Sequence, residues 1–449
     1  MDYDLIVLGG GPGGYVAAER AGARGMSVLL IEKEPHLGGV CLNWGCVPTK
    51  TLLHSSKVYY NAVHGASCGV LGGDQLRFDF TAAQARKHQV IDGLRKGVAG
   101  LMRKFKVTVV HGYGRLQDGN TIVVDDDKTY TGRNILIATG SRPAKPPIPG
   151  HDLPHVVDST GILALEQPPK RLAVIGGGVI GCEFACFFAA IGTQVTVIEM
   201  MDEICPGIDN ELSRSLRQQL GKKGVCFHTG ARVSGISPAG LRFIQGDTEE
   251  GIEADCVLLC TGRVPNIEGL GLEAAGVAVD RRILIDEHCR TNVPTVYACG
   301  DVTGKVLLAH AASRQGEVAV AHMAGEPAHM RYAAIPGVIY TAPEVATVGL
   351  SQAEAERQGR PVTVAKLPLA ASGRFLAEND DPRGFISCVV DAETRALLGV
   401  HMIGNLASEI VHAATAMIEA ELRVDEITDI CFAHPTVGEL LKDCLISLH

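Results

Sequence analysis

Two strand, glycine loop, helix, strand segments, one starting at Leu5 and one at Leu172, and a run of strands followed by helices from Ile335 onward predict the fold class. It is α/β, with two Rossmann-like dinucleotide-binding units and a C-terminal α+β unit. A chain of 449 residues is long enough for several packed units.

In the first segment the apolar run Leu5 to Leu8 leads into Gly9-Gly10-Gly11-Pro12-Gly13-Gly14, and Tyr15 to Ala23 read as a helix. Gly9, Gly11 and Gly14 make the G-x-G-x-x-G spacing. The first glycine permits the tight turn, the second lets backbone approach a pyrophosphate, and the third brings the helix close to the strand. A second strand, Ser27 to Ile31, ends at Glu32, placed to accept hydrogen bonds from ribose hydroxyls.

The second segment repeats this with strand Leu172 to Ile175, glycines Gly176, Gly178 and Gly181, a helix from Glu183, strand Gln194 to Ile198 and the acid Glu199. Each acid stands 23 residues after the first glycine of its loop. Two complete copies in register point to an electron relay between two redox cofactors, for which FAD and a nicotinamide nucleotide are the usual pair. Glu199 is followed by Met200, Met201 and Asp202, where an NADP site wants Arg or Lys, so NAD is expected.

Between the first copy and the next helix lies Gly39-Val40-Cys41-Leu42-Asn43-Trp44-Gly45-Cys46-Val47-Pro48-Thr49-Lys50. The glycines and Asn43 predict a turn here, and Pro48 suits the first turn of a helix reaching about Tyr60. Cys46 then sits near a helix N-terminus, whose dipole favours a thiolate, with Lys50 one turn along. Two cysteines across a turn can come within disulfide reach. A metal site is not expected, since no second cysteine pair completes a tetrahedral set. The other twelve cysteines read as bystanders, and Cys182 and Cys186, in an apolar helix, as small packed hydrophobes.

A net charge of −9 gives no general attraction to nucleic acid or anionic lipid, and no apolar run reaches membrane-spanning length. Fourteen dispersed cysteines without a signal peptide suit a reducing cytoplasm. The chain enters strand and loop at once, so no leader is expected.

With these residues assembled, the chain resembles the pyridine nucleotide-disulfide oxidoreductase family over nearly its whole length. The resemblance is greatest to members that oxidise dihydrolipoyl groups with NAD. It implies a working Cys41–Cys46 disulfide, with Cys41 the interchange thiol and Cys46 the thiol that contacts flavin. It further implies that Lys50 lies near the flavin and pairs with Glu183. Thr295 to Asp301 resembles the second FAD fingerprint, with Asp301 on the ribityl chain. Ala138-Thr139-Gly140 and Cys260-Thr261-Gly262-Arg263 resemble the segments where family chains leave and re-enter the FAD unit. Ala433-His434-Pro435-Thr436-Val437-Gly438-Glu439 resembles the catalytic motif in which His434 is the base and Glu439 its orienting acid.

The implied organisation is an FAD unit over 1–149, an NAD unit over 150–262, a return to the FAD unit over 263–334 and an interface unit over 335–449. In that last unit strands near 344–348, 385–390 and 397–402 precede helices at 408–420 and 436–447. Implied partners are a second copy of the chain sharing the active sites, and a lipoylated carrier of a 2-oxoacid dehydrogenase or glycine cleavage complex. Trp44 and Phe432 depart from many relatives, which bears on substrate access and redox poise. Members that reduce glutathione-like disulfides favour NADPH, and Glu199 argues against them. A flavin-bound sensor or scaffold is the reading from outside enzyme chemistry.

Overall fold

Leu5, Ile6, Val7 and Leu8 are all buried, as a central strand covered on both faces requires. They belong to β1 (Tyr3–Leu8) in the computed structural model, which describes residues 1–448; His449, the last residue of the expected interface unit, lies outside them. Contacts group the chain into two units, Met1–Thr51 with Ala82–Ala144 and Gly262–Arg331, and Leu52–Thr81 with 145–261 and 332–449.

The first unit is built on parallel strands in the order β3 (Thr108–His111), β2 (Val28–Glu32), β1, β6 (Lys128–Ile137) and β17 (Val296–Ala298). The start of β6 also pairs antiparallel with β5 (Thr121–Val124), which pairs with β4 (Gly114–Leu116). Alternation on these strands sends Ile6, Leu8, Leu29, Ile31, Ile135 and Ile137 into one core with Leu116 and Ile122. Helices α1 (Pro12–Ala23) and α7 (Ala309–Met323) belong here, as does most of α4 (Phe80–Lys104), whose 25 residues are missing from the sequence reading. Short strands β7 (Ser141–Pro143) and β16 (Arg263–Pro265) pair where the chain leaves and re-enters the unit.

In the second unit five parallel strands run in the order β11 (Val225–His228), β10 (Gln194–Ile198), β9 (Arg171–Ile175), β15 (Cys256–Leu259) and β8 (Val156–Asp158), with α5 (Val179–Ala190) and α6 (Asn210–Lys222). An antiparallel sheet of β12 (Ala231–Ser237), β13 (Gly240–Gln245) and β14 (Thr248–Glu253) contributes Leu241 and Phe243 to the core under Ile175, Ile198 and Leu259. The C-terminal sheet runs β18 (Gly337–Ile339), β19 (Val345–Gly349), β22 (Leu397–Ile403), β21 (Phe385–Asp391), β20 (Val362–Pro368). Its helices are α8 (Gln352–Arg357), α9 (Gly373–Glu378), α10 (Ala407–Glu419), α11 (Val424–Thr428) and α12 (Leu440–Ile446). Val400, Met402, Val411, Leu441 and Leu445 share one core there.

Three local expectations are corrected. Both glycine-loop helices start earlier than expected, at Pro12 and Val179, because Gly11 and Gly178 in extended backbone serve as their N-caps. The dithiol segment is not a plain turn: Gly39–Trp44 forms a short helix, α2, followed at once by α3 (Cys46–Val63). Gly38 at φ +110 and Gly39 at φ +55 make the reversal that Asn43 was expected to share. The last helix is shorter than 436–447, because residues 436–439 form a turn closed by reciprocal bonds. The Thr436 N–H donates to Glu439 Oε1 at 3.1 Å and the Glu439 N–H donates to Thr436 Oγ1 at 3.2 Å.

Candidate active site

The two glycine loops are near copies at the level of single hydrogen bonds. Gly9 sits at φ +106, where a Cβ would stand 2.4 Å from the Ala138 carbonyl oxygen; Gly176 sits at φ +105, with the same group 2.3 Å from the Cys260 oxygen. A Cβ on Gly14 would lie 1.9 Å from the Gly9 oxygen, and one on Gly181 2.1 Å from the Gly176 oxygen, so both helices pack onto their turns through bare glycine. Glu32 accepts the N–H groups of Gly10 at 2.7 Å and Glu34 at 2.9 Å. Glu199 accepts those of Gly177 at 2.6 Å and Met201 at 2.8 Å. A carboxylate has about four lone-pair sites, so each acid anchors its loop and retains acceptor capacity for a ribose. A Cβ on Gly178 would meet nothing within 4 Å, and one on Gly11 would meet only the Gly39 Cα, at 3.7 Å. The loops therefore fit a pyrophosphate against bare backbone at the N-termini of α1 and α5.

The first loop also docks the dithiol segment. The Gly38 N–H donates to the Gly10 carbonyl at 2.8 Å, just before α2. Cys41 projects from α2 and Cys46 is the first residue of α3; both are half-buried thiols in this structure. The Cys41 thiol is hydrogen-bonded to Cys46, and that bond is the first cause of its strongly raised pKa, followed by burial and the charge of Cys46. Lys50, one turn along α3, acts in the opposite direction on Cys41. Cys41 thus holds its proton while Cys46, at the helix N-terminus, is the better site for negative charge.

Two neighbours of the dithiol take contacts that no sequence motif signals. Tyr15 follows the first glycine loop, and its phenol is raised by burial and then by Cys41, Glu19 and Cys46. Asn43 is 5% exposed; its Nδ2 donates to the carbonyls of Leu37 at 3.2 Å and Gly39 at 2.9 Å, while its Oδ1 accepts from Arg95 Nε at 2.7 Å. No motif signals Arg95, because it arrives from α4, 52 residues away.

Near the re-entry of the first unit, Asp301 accepts the Ser141 hydroxyl at 2.5 Å and lies 3.8 Å from the Arg263 guanidinium, which also donates to Ser141 Oγ at 2.7 Å. Gly300 donates its N–H to the fully buried Gln315 at 2.6 Å. Thr139 and Asn266 are bonded reciprocally: the Thr139 hydroxyl donates to the Asn266 carbonyl at 2.8 Å, and the Asn266 amide donates to the Thr139 carbonyl at 2.9 Å. Gly140 at φ +67 and Gly262 at φ +107 have no atom within 4 Å of a Cβ position. Ser141 and Gln315 were also missed, being single polar residues without a spacing pattern.

In the second unit Glu183 is 3% exposed on α5 and accepts the Tyr340 N–H at 3.0 Å. His434 Nδ1 lies 2.9 Å from Glu439 Oε2, and the imidazole side chain is 81% exposed while the acid is largely covered. A carboxylate on Nδ1 places the ring proton there and leaves Nε2 to accept a proton from an incoming group. Glu439 is held below the usual carboxylate range by the His434 hydrogen bond and then by the Thr436 N–H. Phe432 packs partly buried against the C-terminal core, a sufficient reason for its bulk, and Trp44 is half-buried at the end of α2. Cys182 and Cys186 are buried in α5. Among the described residues no group of three or more His, Cys, Asp or Glu is placed to hold a metal ion, and no helix is long and apolar enough to cross a membrane.

Residues 3–316 match the family model described as pyridine nucleotide-disulphide oxidoreductase, and residues 335–444 match the dimerisation domain of the same family. A dihydrolipoyl dehydrogenase of Bacillus subtilis is 40% identical over 99% of this chain and 96% of its own. Dihydrolipoyl dehydrogenase 3 of Pseudomonas putida is 39% identical over 99% and 98%. Among solved structures, the HOCl-induced flavoprotein disulfide reductase RclA from Escherichia coli superposes with a TM-score of 0.88 at 28% identity, covering 100% of both chains.

Proposed function

Since the chain belongs to the pyridine nucleotide-disulphide oxidoreductase family, we propose that it is a dihydrolipoyl dehydrogenase working through a Cys41–Cys46 disulfide. The observation that carries this reading is the hydrogen-bonded Cys41–Cys46 pair set between the first glycine loop and the N-terminus of α3. FAD and NAD are the cofactors, and when bound they supply the flavin that accepts the electron pair and the nicotinamide that carries it away as hydride. Gly9, Gly11, Gly14, Glu32, Lys50, Thr139, Gly140 and Asp301 are assigned to FAD; Gly176, Gly178, Gly181, Glu199 and Gly262 are assigned to NAD. Lys50 and Glu183 are assigned to the flavin side of the dithiol.

The chain's own chemistry then runs on thiols. His434 of a second copy takes the proton of one dihydrolipoyl thiol at Nε2, with Glu439 fixing the ring and balancing the imidazolium. The thiolate attacks Cys41 Sγ, the Cys41–Cys46 bond breaks, and Cys46 leaves as thiolate. The second dihydrolipoyl thiol attacks the substrate sulfur of the mixed disulfide, closing the lipoyl ring and releasing Cys41. Cys41 takes up a proton readily, because its bond to Cys46 and its burial favour the thiol. Two thiols of the substrate are oxidised and one disulfide of the protein is reduced.

The match to the dimerisation domain supports a homodimer, and the high exposure of His434 within one chain suits a base that serves a partner's dithiol. A lipoylated carrier protein is the proposed physiological substrate, and the cytoplasm the proposed location. One steady-state comparison tests the reading: NAD reduction by a reduced lipoyl carrier and by free dihydrolipoamide is expected, with none from reduced glutathione. NAD reduction by glutathione alone contradicts it.

A further inference from the structure

In the first unit the C-terminal half of α4, the loop 35–37 and β3 surround a cavity of about 390 Å³. That is within the ~300–1,000 Å³ typical of small-molecule sites. Its apolar lining includes Leu37, Met102 and Val109, and its polar lining includes Arg95, Arg103 and His36. None of these residues belongs to the glycine loop or to the residues assigned to FAD. The charge is local, since the chain as a whole carries −9 while α4 has Arg86, Lys87, Arg95, Lys96, Arg103 and Lys104 against the single acid Asp92.

Two arginines lining a cavity together with apolar side chains match one ligand chemistry, an anionic head on an apolar body. Arg95 gives its Nε proton to Asn43 and an Nη1 proton to Asp92 at 3.1 Å. A guanidinium has five N–H groups, so donors remain for an anion. Asn43 lies between Cys41 and Cys46 in sequence and bonds to the cavity-lining Leu37 through that residue's carbonyl. The cavity therefore touches the dithiol segment through two of its own lining residues.

We infer that this cavity binds a small anion with an apolar body, such as a medium-chain carboxylate, and that its occupant acts on the dithiol through Arg95 and Asn43. An anion that draws Arg95 toward it weakens the Arg95–Asn43 bond, loosening the short helix α2 that carries Cys41. The test uses FAD-loaded, NAD-saturated enzyme, so that both dinucleotide sites are filled, with octanoate as the probe in equilibrium dialysis. A single saturable class of octanoate sites is expected, with affinity about tenfold lower in Arg103→Gln, the scale of one charge-assisted hydrogen bond. Inorganic phosphate is expected to bind more weakly than octanoate, because it makes no use of the apolar lining. Octanoate is also expected to speed iodoacetamide alkylation of the reduced dithiol in the wild type but not in Arg103→Gln, whose turnover without octanoate is unchanged. Absence of saturable octanoate binding, equal binding by Arg103→Gln, phosphate binding as tight as octanoate, or alkylation unaffected by octanoate overturns the inference. Dihydrolipoamide turnover is read separately, so failure here is distinguishable from failure of the proposed reaction.

Discussion

Glu439 grips His434 through one carboxylate oxygen, Oε2 to Nδ1 at 2.9 Å, and the turn that carries it through the other, which accepts the Thr436 N–H at 3.1 Å. The acid is thereby fixed before it fixes the imidazole. His434→Gln is expected to lower kcat for dihydrolipoamide oxidation by about 10²–10⁴-fold, the usual worth of a positioned base. Glu439→Gln is expected to cost less, because the imidazole remains while its orientation is lost.

The pH dependence follows from the sign of the Glu439 shift. Its folded pKa is depressed by His434 and Thr436, so its charge is present above the ordinary carboxylate range and is lost only as pH falls through the lower folded value. From about pH 5 upward Glu439 stays ionised. Glu439→Gln is therefore expected to lower kcat/KM throughout the neutral range. A loss confined to acid pH would show that the carboxylate does not orient the base.

Glu199 closes the second loop as Glu32 closes the first, and in the proposed NAD site a carboxylate there would disfavour the extra phosphate of NADPH. Strong preference for NADH over NADPH is expected, read as the ratio of kcat/KM values. Glu199→Ala leaves the Gly177 and Met201 N–H groups without their acceptor, and is expected to raise KM for NADH on the order of 10–100-fold and narrow the preference.

The duplicated glycine contacts separate the two cofactors experimentally. Gly14→Ala puts a methyl 1.9 Å from the Gly9 oxygen and is expected to yield protein with little bound flavin, measured as visible absorbance per chain. Gly181→Ala puts it 2.1 Å from the Gly176 oxygen and is expected to keep the flavin while raising KM for NAD.

What was legible in the sequence is what local spacing encodes. Strand Gln194–Ile198, both glycine loops and the His434–Glu439 pair need only neighbours along the chain, and they stand where periodicity and motif place them. In the dithiol segment Gly38, Gly39 and Asn43 all favour a turn, yet Asn43 folds its amide back onto the Leu37 and Gly39 carbonyls and so stabilises a short helix. Arg95, Ser141, Gln315 and Tyr340 act through contacts made by folding alone, across 52, 160, 15 and 157 positions. A single polar residue at such separations leaves no local pattern.

Cys46→Ser tests the division of labour in the dithiol most directly. In the FAD-loaded variant under anaerobic conditions, NAD-linked oxidation of dihydrolipoamide is expected to vanish. The long-wavelength absorbance that a thiolate gives beside oxidised flavin, expected in the wild type on partial reduction, is expected to vanish with it. Retention of turnover and of that absorbance in Cys46→Ser would contradict the assignment of Cys46 as the flavin-side thiol and of the Cys41–Cys46 disulfide as the relay.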